Sequence, residues 1–429
     1  MRPFKIVTAG LTVPAAILLL TTAPAVQATA MVSVPCSGPA GGPAGLIAAI
    51  GAANGSGGAT INLAAGCSYM LTAANNTNPM LGDNGLPVIT SAITLNGSAT
   101  TIAGNDSTFR ILQVTSTGNL TLQGLTITGG NTDGMGGGIL NLEGTLTLNH
   151  SQVTGNAAEG GPMSDGGGIA SGTLGTGPLG TTTLNASQVN GNTTSGSAGG
   201  ILNHGGTLTL NASQVNGNAA ANGGGGIASG TGGMGTNSSS SLVLNSSQVN
   251  GNTANGGPRA GAGGIANGGT ATINSSQVNG NTAPGGFGGG ILNHGQMSIH
   301  ASTVDNNTAP ADSAGDQGEG GGIANLDITA LTGAANSGVL SVSLSQVAGN
   351  AASGAGGGIL EDGVNSDDGL GLPGGPLSLL LTQVTGNSAA QGGGIFASSA
   401  SPVTLYLSPV VSNQPGNCFP PGTIPGCTS

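Results

Sequence analysis

"GGILNHGGTLTLNASQVNGN" (199–218) decides the fold. It recurs with small edits as "GGILNLEGTLTLNHSQVTGN" (137–156), "GGIANGGTATINSSQVNGN" (263–281) and "GGILNHGQMSIHASTVDNN" (289–307). Two signatures alternate along the chain. Gly-Gly-Ile places Ile at 139, 169, 201, 227, 265, 291, 323, 359 and 395, and Val-x-x-Asn places Asn at 156, 192, 218, 252, 281, 307, 350, 387 and 413. The shortest Ile-to-Ile spacing is 26 residues and the longest is 38. A fixed minimum that tolerates insertion marks a solenoid, in which each turn buries its apolar side against the next.

Within a turn the period is 2. In "GTLTLN" (144–149), Leu146 and Leu148 share one face while Thr145, Thr147 and Asn149 share the other. Ile139 and Val153 supply the remaining apolar positions, which makes three short strands per turn. Gly and Asn at the joints permit the positive φ that corners need. The expected fold is all-β: a single-stranded right-handed parallel β-helix of about 26 residues per minimal turn, its hand following that of β-crossovers. Stacking then sets Asn156, Asn192, Asn218, Asn252, Asn281, Asn307, Asn350 and Asn387 at one corner, about 4.8 Å apart. Amides in such a row can bond to one another and to the corner backbone. The Asn-x-Ser triplets at 149, 185, 211, 245 and 274 match glycosylation sequons, but here they read as strand-end chemistry.

Composition agrees. Charged residues are 4%, aromatics 2%, Trp is absent and Gly supplies 87 of 429 residues, which suits a thin Ile/Leu/Val core better than a thick globular one. With 37% apolar residues the chain does not have the makeup of solvated disorder. Arg2, Lys5, the apolar "LTVPAAILLL" (11–20) and the small residues around Ala28 and Ala30 read as an export signal. No later segment carries 18 consecutive apolar residues, so no membrane span is expected. Without the signal, two basic residues face fifteen acidic ones, a net −13. Nucleic acid and anionic membranes are therefore poor partners.

The expected organisation is a signal peptide at 1–30, an N-terminal cap and first turns at 31–110, β-helix repeats at 111–410 and a C-terminal disulfide cap at 411–429. In an exported chain Cys36 with Cys67 and Cys418 with Cys427 read as two local disulfides at the two ends. A metal site at these cysteines is the alternative, although the spacings match no usual zinc pattern.

Insertions recur at two places. One class follows the Gly-Gly-Ile strand (171–182, 229–241, 326–339, 361–376), and the other precedes it (157–166, 253–262, 308–320). Each class should emerge along its own edge, and loops on a rigid scaffold are where function concentrates.

The alternation of Gly-Gly-Ile with Val-x-x-Asn resembles the polymorphic outer membrane protein repeat. The whole chain resembles the secreted right-handed β-helix proteins of the pectin-lyase-like superfamily found in actinobacteria. The N-terminal segments "LIAAIGAANGSGGATINLAAGCSYMLT" (46–72), "GLPVITSAITLNG" (85–97) and "NLTLQGLTITGG" (119–130), and the C-terminal "NQPGNCFPPGTIPGC" (413–427), carry that likeness. Val stands here where the outer-membrane repeat has Phe, and no barrel-sized segment follows Asn413, so anchoring through a barrel is not expected. The resemblance implies the fold and leaves the activity open, since the superfamily holds lyases, hydrolases and adhesins.

Lyases of that superfamily imply clustered Asp ligands for calcium with an Arg base, and its hydrolases imply two or three neighbouring Asp. Outside the signal the bases are Arg110 and Arg259 alone; Arg110 in the first turns reads as structural, and Arg259 has no acidic neighbour in sequence. Acidic residues cluster in "DNNTAPADSAGDQGE" (305–319), with Asp305, Asp312, Asp316 and Glu319, and in "EDGVNSDDG" (361–369), with Glu361, Asp362, Asp367 and Asp368. These are read first as a solvated acidic rim. The catalytic candidates among them are Asp312, Asp316, Glu319, Asp367 and Asp368, and the calcium candidates are Glu361, Asp362, Asp367 and Asp368. No other cofactor is implied. His150, His204, His294 and His300 read as exposed turn residues; His204 and His294 are equivalent but three turns apart, too far to share a metal.

The expected role is a secreted, extracellular scaffold without a recognisable active site, structural or adhesive, contacting polysaccharide or cell-surface glycans through its loops. The alternatives are a polysaccharide lyase or glycoside hydrolase using loop carboxylates, and ice binding through the outward Thr-x-Thr pairs. Oligomeric state is left open: Leu140, Leu202, Leu292, Leu360 and Phe396, beside the inward Ile, would favour self-association if they formed an exposed ridge.

Overall fold

A computed structural model of the chain describes residues 30–428, apart from 106–107, 162, 174–178, 231–238, 258–260, 328–337, 364–373 and 399–400. Strands stack in parallel, turn upon turn, with the repeat signatures in register. Thr145–Asn149 pairs with Thr181–Asn185, which pairs with Thr207–Asn211 and then Ser241–Asn245. Gln152–Thr154, Gln188–Asn190 and Gln214–Asn216 form a second row of the same 23-stranded sheet. The Gly-Gly-Ile strands make a separate eleven-stranded sheet, and short pairs such as Ala157–Ala158 with Thr193–Ser197 add a fourth, discontinuous row. The chain is a parallel β-helix.

The alternation of the sequence is the cause. Leu208, Leu210, Val215 and Ile201 point inward and are fully buried, and the same four positions stack in one continuous core along the helix. Each such aliphatic contributes on the order of 2 kcal/mol by leaving water. The outward Thr pairs stay in register from Thr145 and Thr147 to Thr207 and Thr209, break at Ser241 with Val243, return at Thr270 with Thr272 and give way to Gln296 with Ser298.

One feature of the ends was not read from the sequence. Gly42–Ser56 is an α-helix, entered through Pro43 and closed by Gly57 in the left-handed conformation. It lays Leu46, Ile50 and Ala53 over the first turn, where an open solenoid would expose its core. The Cys36–Cys67 disulfide ties this cap to the first turns, and Cys418–Cys427 closes the other end.

The residues beside the inward Ile form no exposed ridge. Leu140, Ala170, Leu202 and Ala228 point away from the main core, yet they are buried with Leu81, Met135 and Ala198. Leu292, Ala324 and Leu360 are likewise buried, beside Ala262 and half-buried Phe287 and Phe396. Segments that precede the Gly-Gly-Ile strands fold over this row and give the helix small satellite cores.

Candidate functional site

The recurring polar positions of the repeat are accounted for first by stacking. Asn156 Nδ2 donates to Asn192 Oδ1 at 3.0 Å, and the pattern repeats through Asn218, Asn252, Asn281, Asn307, Asn350 and Asn387 to Asn413. Each Oδ1 also accepts the backbone N–H of the turn before, as Asn252 Oδ1 does from Asn218. The row ends at Asn417, beside the disulfide cap. The sequon residues are engaged similarly. Asn185 Nδ2 donates to Asn149 Oδ1 at 2.9 Å, and the buried Ser187 hydroxyl accepts the Ser151 N–H at 3.1 Å.

A second polar row was missed. The residue two beyond the inward Ile is Asn141, Ser171, Asn203, Ser229, Asn267, Asn293, Asn325 and then Glu361. Asn267 donates to Asn293 at 2.8 Å, Asn293 to Asn325 at 2.7 Å, and Asn325 to Glu361 Oε2 at 2.8 Å. The Ile-x-Asn spacing carried the signal.

Glu361 and Asp362 depart from expectation. They end the strand Ile359–Gly363 and are buried, instead of standing in a solvated loop. Strand pairing with Ile323–Asp327 takes them into the sheet before the insertion begins. Burial pushes the Glu361 carboxyl up to about 9; the Asn325 bond opposes the rise, and the charges of Asp362 and Asp327 add to it. Glu361 is therefore a neutral acid at pH 7, and its Oε1 has no hydrogen-bond partner among the described residues. Asp367 and Asp368 lie outside the described residues, as does Arg259.

In the other acidic segment, Asp305 is not part of the insertion. It ends the strand Thr303–Asp305, half-buried, and accepts the Ala348 N–H at 3.0 Å. Burial raises its carboxyl and that bond offsets part of the rise. Asp312 Oδ1 accepts the N–H groups of Ala314 and Asp316 at 2.8 and 2.9 Å, so this carboxylate organises its own turn. Asp316 is exposed at that turn, and Glu319 is held by backbone bonds to Gly286 and Gly288. Among the described residues no three His, Cys, Asp or Glu side chains gather as a metal site.

The basic and histidine positions separate as well. Arg110 is fully buried, its Nη2 donating to Leu81 O, and burial lowers its guanidinium to about 9 against the pull of Asp133 and Asp83. It stands inside the first turns, away from solvent. His150 and His300 are exposed as expected, but His294 is buried and its imidazole falls to about 4 through desolvation. The residues around it in the chain do not signal this burial.

A small pocket, with room for about one water molecule, lies among Met135, Leu140, Leu142, Ser171, Gly172, Thr173 and His204. Asp165 lies next to it: burial raises its carboxyl, while the Ser197 N–H at 2.5 Å and nearby His204 hold the rise back. Glu143 Oε1 accepts the Thr173 hydroxyl at 2.9 Å at the same rim. Asp165 does not line the pocket, and a space of this size admits a water molecule and no sugar ring.

Charge is segregated among the described residues. Asp305 is the sole charged residue in the 23 strands of the large sheet; the other described charges stand on the Gly-Gly-Ile sheet, on the two-stranded pair of Asp83–Asn84 with Phe109–Arg110, or in turns and insertions.

No protein-family model matches the chain, and no curated protein sequence matches it. Among solved structures it is similar to the A-module of a mannuronan C-5 epimerase from Azotobacter vinelandii. The two share 13% sequence identity over 87% of this chain and 95% of that one, with a TM-score of 0.49. No described helix is long and apolar enough to cross a membrane.

Proposed function

We propose that the chain is an exported β-helix scaffold that contacts polysaccharide or cell-surface glycans along its loop-bearing face. The observation that carries this reading is the segregation of charge: among the described residues the strands of the 23-stranded sheet carry one charge, Asp305, while the remaining carboxylates stand outside those strands. Eleven stacked strands at about 4.8 Å give that face a length near 48 Å, the shape of a site for a linear polymer. Carboxylates and backbone amides bind sugar hydroxyls, whereas a chain with a net charge of −11 repels acidic polymers unless cations bridge them. The resemblance to the pectin-lyase-like superfamily supports the same partner class, and the two disulfides and the signal-like start support export.

A second reading, a polysaccharide lyase or glycoside hydrolase, is favoured by the proximity of His204 to Asp165, whose carboxyl burial raises. Affinity electrophoresis tests the glycan contact that both readings need, and product release separates them. A binder is slowed in gels containing at least one neutral polysaccharide, and Asp165→Asn with His204→Asn weakens the retardation. If a folded protein migrates freely in every gel, with and without Ca²⁺, glycan contact is wrong.

A further inference from the structure

The outward surface of the 23-stranded sheet changes character in its last three turns. Its two rows meet at a corner residue held in the left-handed conformation, and in the middle turns this is Ala186, Ala212, Ser246, Ser275 and Ala301. The next three are Leu344, Leu381 and Leu407, at φ 51°, 49° and 47°. Leucine is a poor occupant of this region, where its Cβ crowds the backbone and Asn or Gly is the ordinary choice. Burial does not compensate the strain, because the three are 53%, 47% and 69% exposed. They stack directly: the Leu344 N–H donates to Leu380 O and the Leu381 N–H to Tyr406 O, both at 2.9 Å.

The adjacent outward row changes at the same turns. Asn211, Asn245 and Asn274 precede His300 and Ser343, after which come Leu380 and Tyr406, paired across neighbouring strands and also largely exposed. Five large apolar side chains thus form one patch, each replacing a small or polar residue of the earlier repeats. Strain and hydration both oppose them in a free monomer, and an observed pair of such costs points to a function.

We propose that this patch is the interface with a second copy of the chain, packed face to face about a two-fold axis. The charge pattern selects that occupant. A chain of net charge −11 repels its copies through the loop-bearing side, and this sheet, whose one charge is Asp305, is the surface through which two copies approach with least repulsion. A two-fold contact needs only a self-complementary patch, which flat aliphatic side chains around one Tyr provide. Five half-exposed side chains from each copy bury roughly 1,000 Å² in total, the low end for a specific contact, so the dimer forms and dissociates with concentration. The glycan-contacting face stays open on the outside of the pair.

Sedimentation velocity of the full disulfide-bonded chain, from about 1 to 100 µM, tests this. A species of 40.1 kDa at the low end should double in mass toward the high end. The triple change Leu344→Asn, Leu381→Asn and Leu407→Asn keeps residues that tolerate the corner geometry, so it should stay folded by circular dichroism and remain monomeric throughout. Tyr406→Asn alone should weaken association at least tenfold, which keeps the test decisive if the triple variant misfolds. A wild-type chain that is monomeric at every concentration overturns the proposal. So does a variant that dimerises unchanged.

Discussion

Replacing Asn252 by Ala removes one rung from the middle of the buried amide row. Its Oδ1 accepts both the backbone N–H and the Nδ2 of Asn218, each at 2.9 Å, and its Nδ2 donates to Val215 O at 2.9 Å and to Asn281 Oδ1 at 3.0 Å. After truncation Asn218 Nδ2 still reaches Val189 O, and Asn281 Oδ1 still accepts the Asn252 N–H. The Asn218 N–H and Val215 O lose these partners inside a sealed corner. An orphaned buried group costs about 1–3 kcal/mol, so Asn252→Ala should destabilise the surrounding turns by about 2–5 kcal/mol. The matched control is Asn250→Ala, which removes a half-buried amide whose Oδ1 accepts one backbone N–H, from Asn279 at 3.0 Å. Water replaces that partner readily, and the cost should be near 1 kcal/mol. Native-state hydrogen exchange is the suitable assay, because turns of a solenoid open locally and a single global midpoint averages them. Protection at 215–218 and 249–252 should fall by two orders of magnitude or more in Asn252→Ala and by less than one in Asn250→Ala. Equal loss in the two variants would refute the idea that the amide row holds the corner.

Glu361→Gln should be more stable than wild type at pH 8 and indistinguishable from it near pH 4. The folded carboxyl titrates near 9 against an ordinary 4.5, so the folded state keeps a proton that the unfolded state has lost, and stability falls between those values by several kcal/mol in all. Denaturant titrations across that window check it. His294 has the opposite sign. Its imidazole titrates near 4 against an ordinary 6.5, so stability is lost as pH falls through that interval, by roughly 3 kcal/mol, and His294→Gln should flatten the acid limb of a melting-temperature profile. Removing the Cys36–Cys67 link by Ala substitution at both positions frees a segment of sequence separation 31 and should cost about 3–4 kcal/mol. The loss should appear as faster exchange in Gly42–Ser56, with the middle repeats unaffected.

The repeat region was legible because each turn states the same pattern independently. Alternation in "GTLTLN" fixes which side faces the core, and Val-x-x-Asn marks a corner that only stacking can satisfy. Where one residue departs from its stack, the sequence misleads. Glu361 reads as the start of an acidic loop because glycine and aspartate follow it, but its register places it opposite Asn325 in the interior. Asp165 and His204 belong to different turns 39 positions apart, so their proximity follows from how the turns stack and from no local spacing. The terminal helix Gly42–Ser56 was missed for a different reason. Its alanines and glycines resemble the composition of the turns, and it forms because an open end must be covered.

The central claim is that the loop-bearing face binds glycan without transforming it, and one measurement addresses it most directly. Folded protein is incubated with neutral and acidic plant and microbial polysaccharides, with and without Ca²⁺, and both reducing ends and unsaturated-product absorbance are followed. The account predicts retention on at least one polymer and no product from any of them. Turnover that disappears in Asp165→Asn or Asp316→Asn would contradict it and make this face an active site.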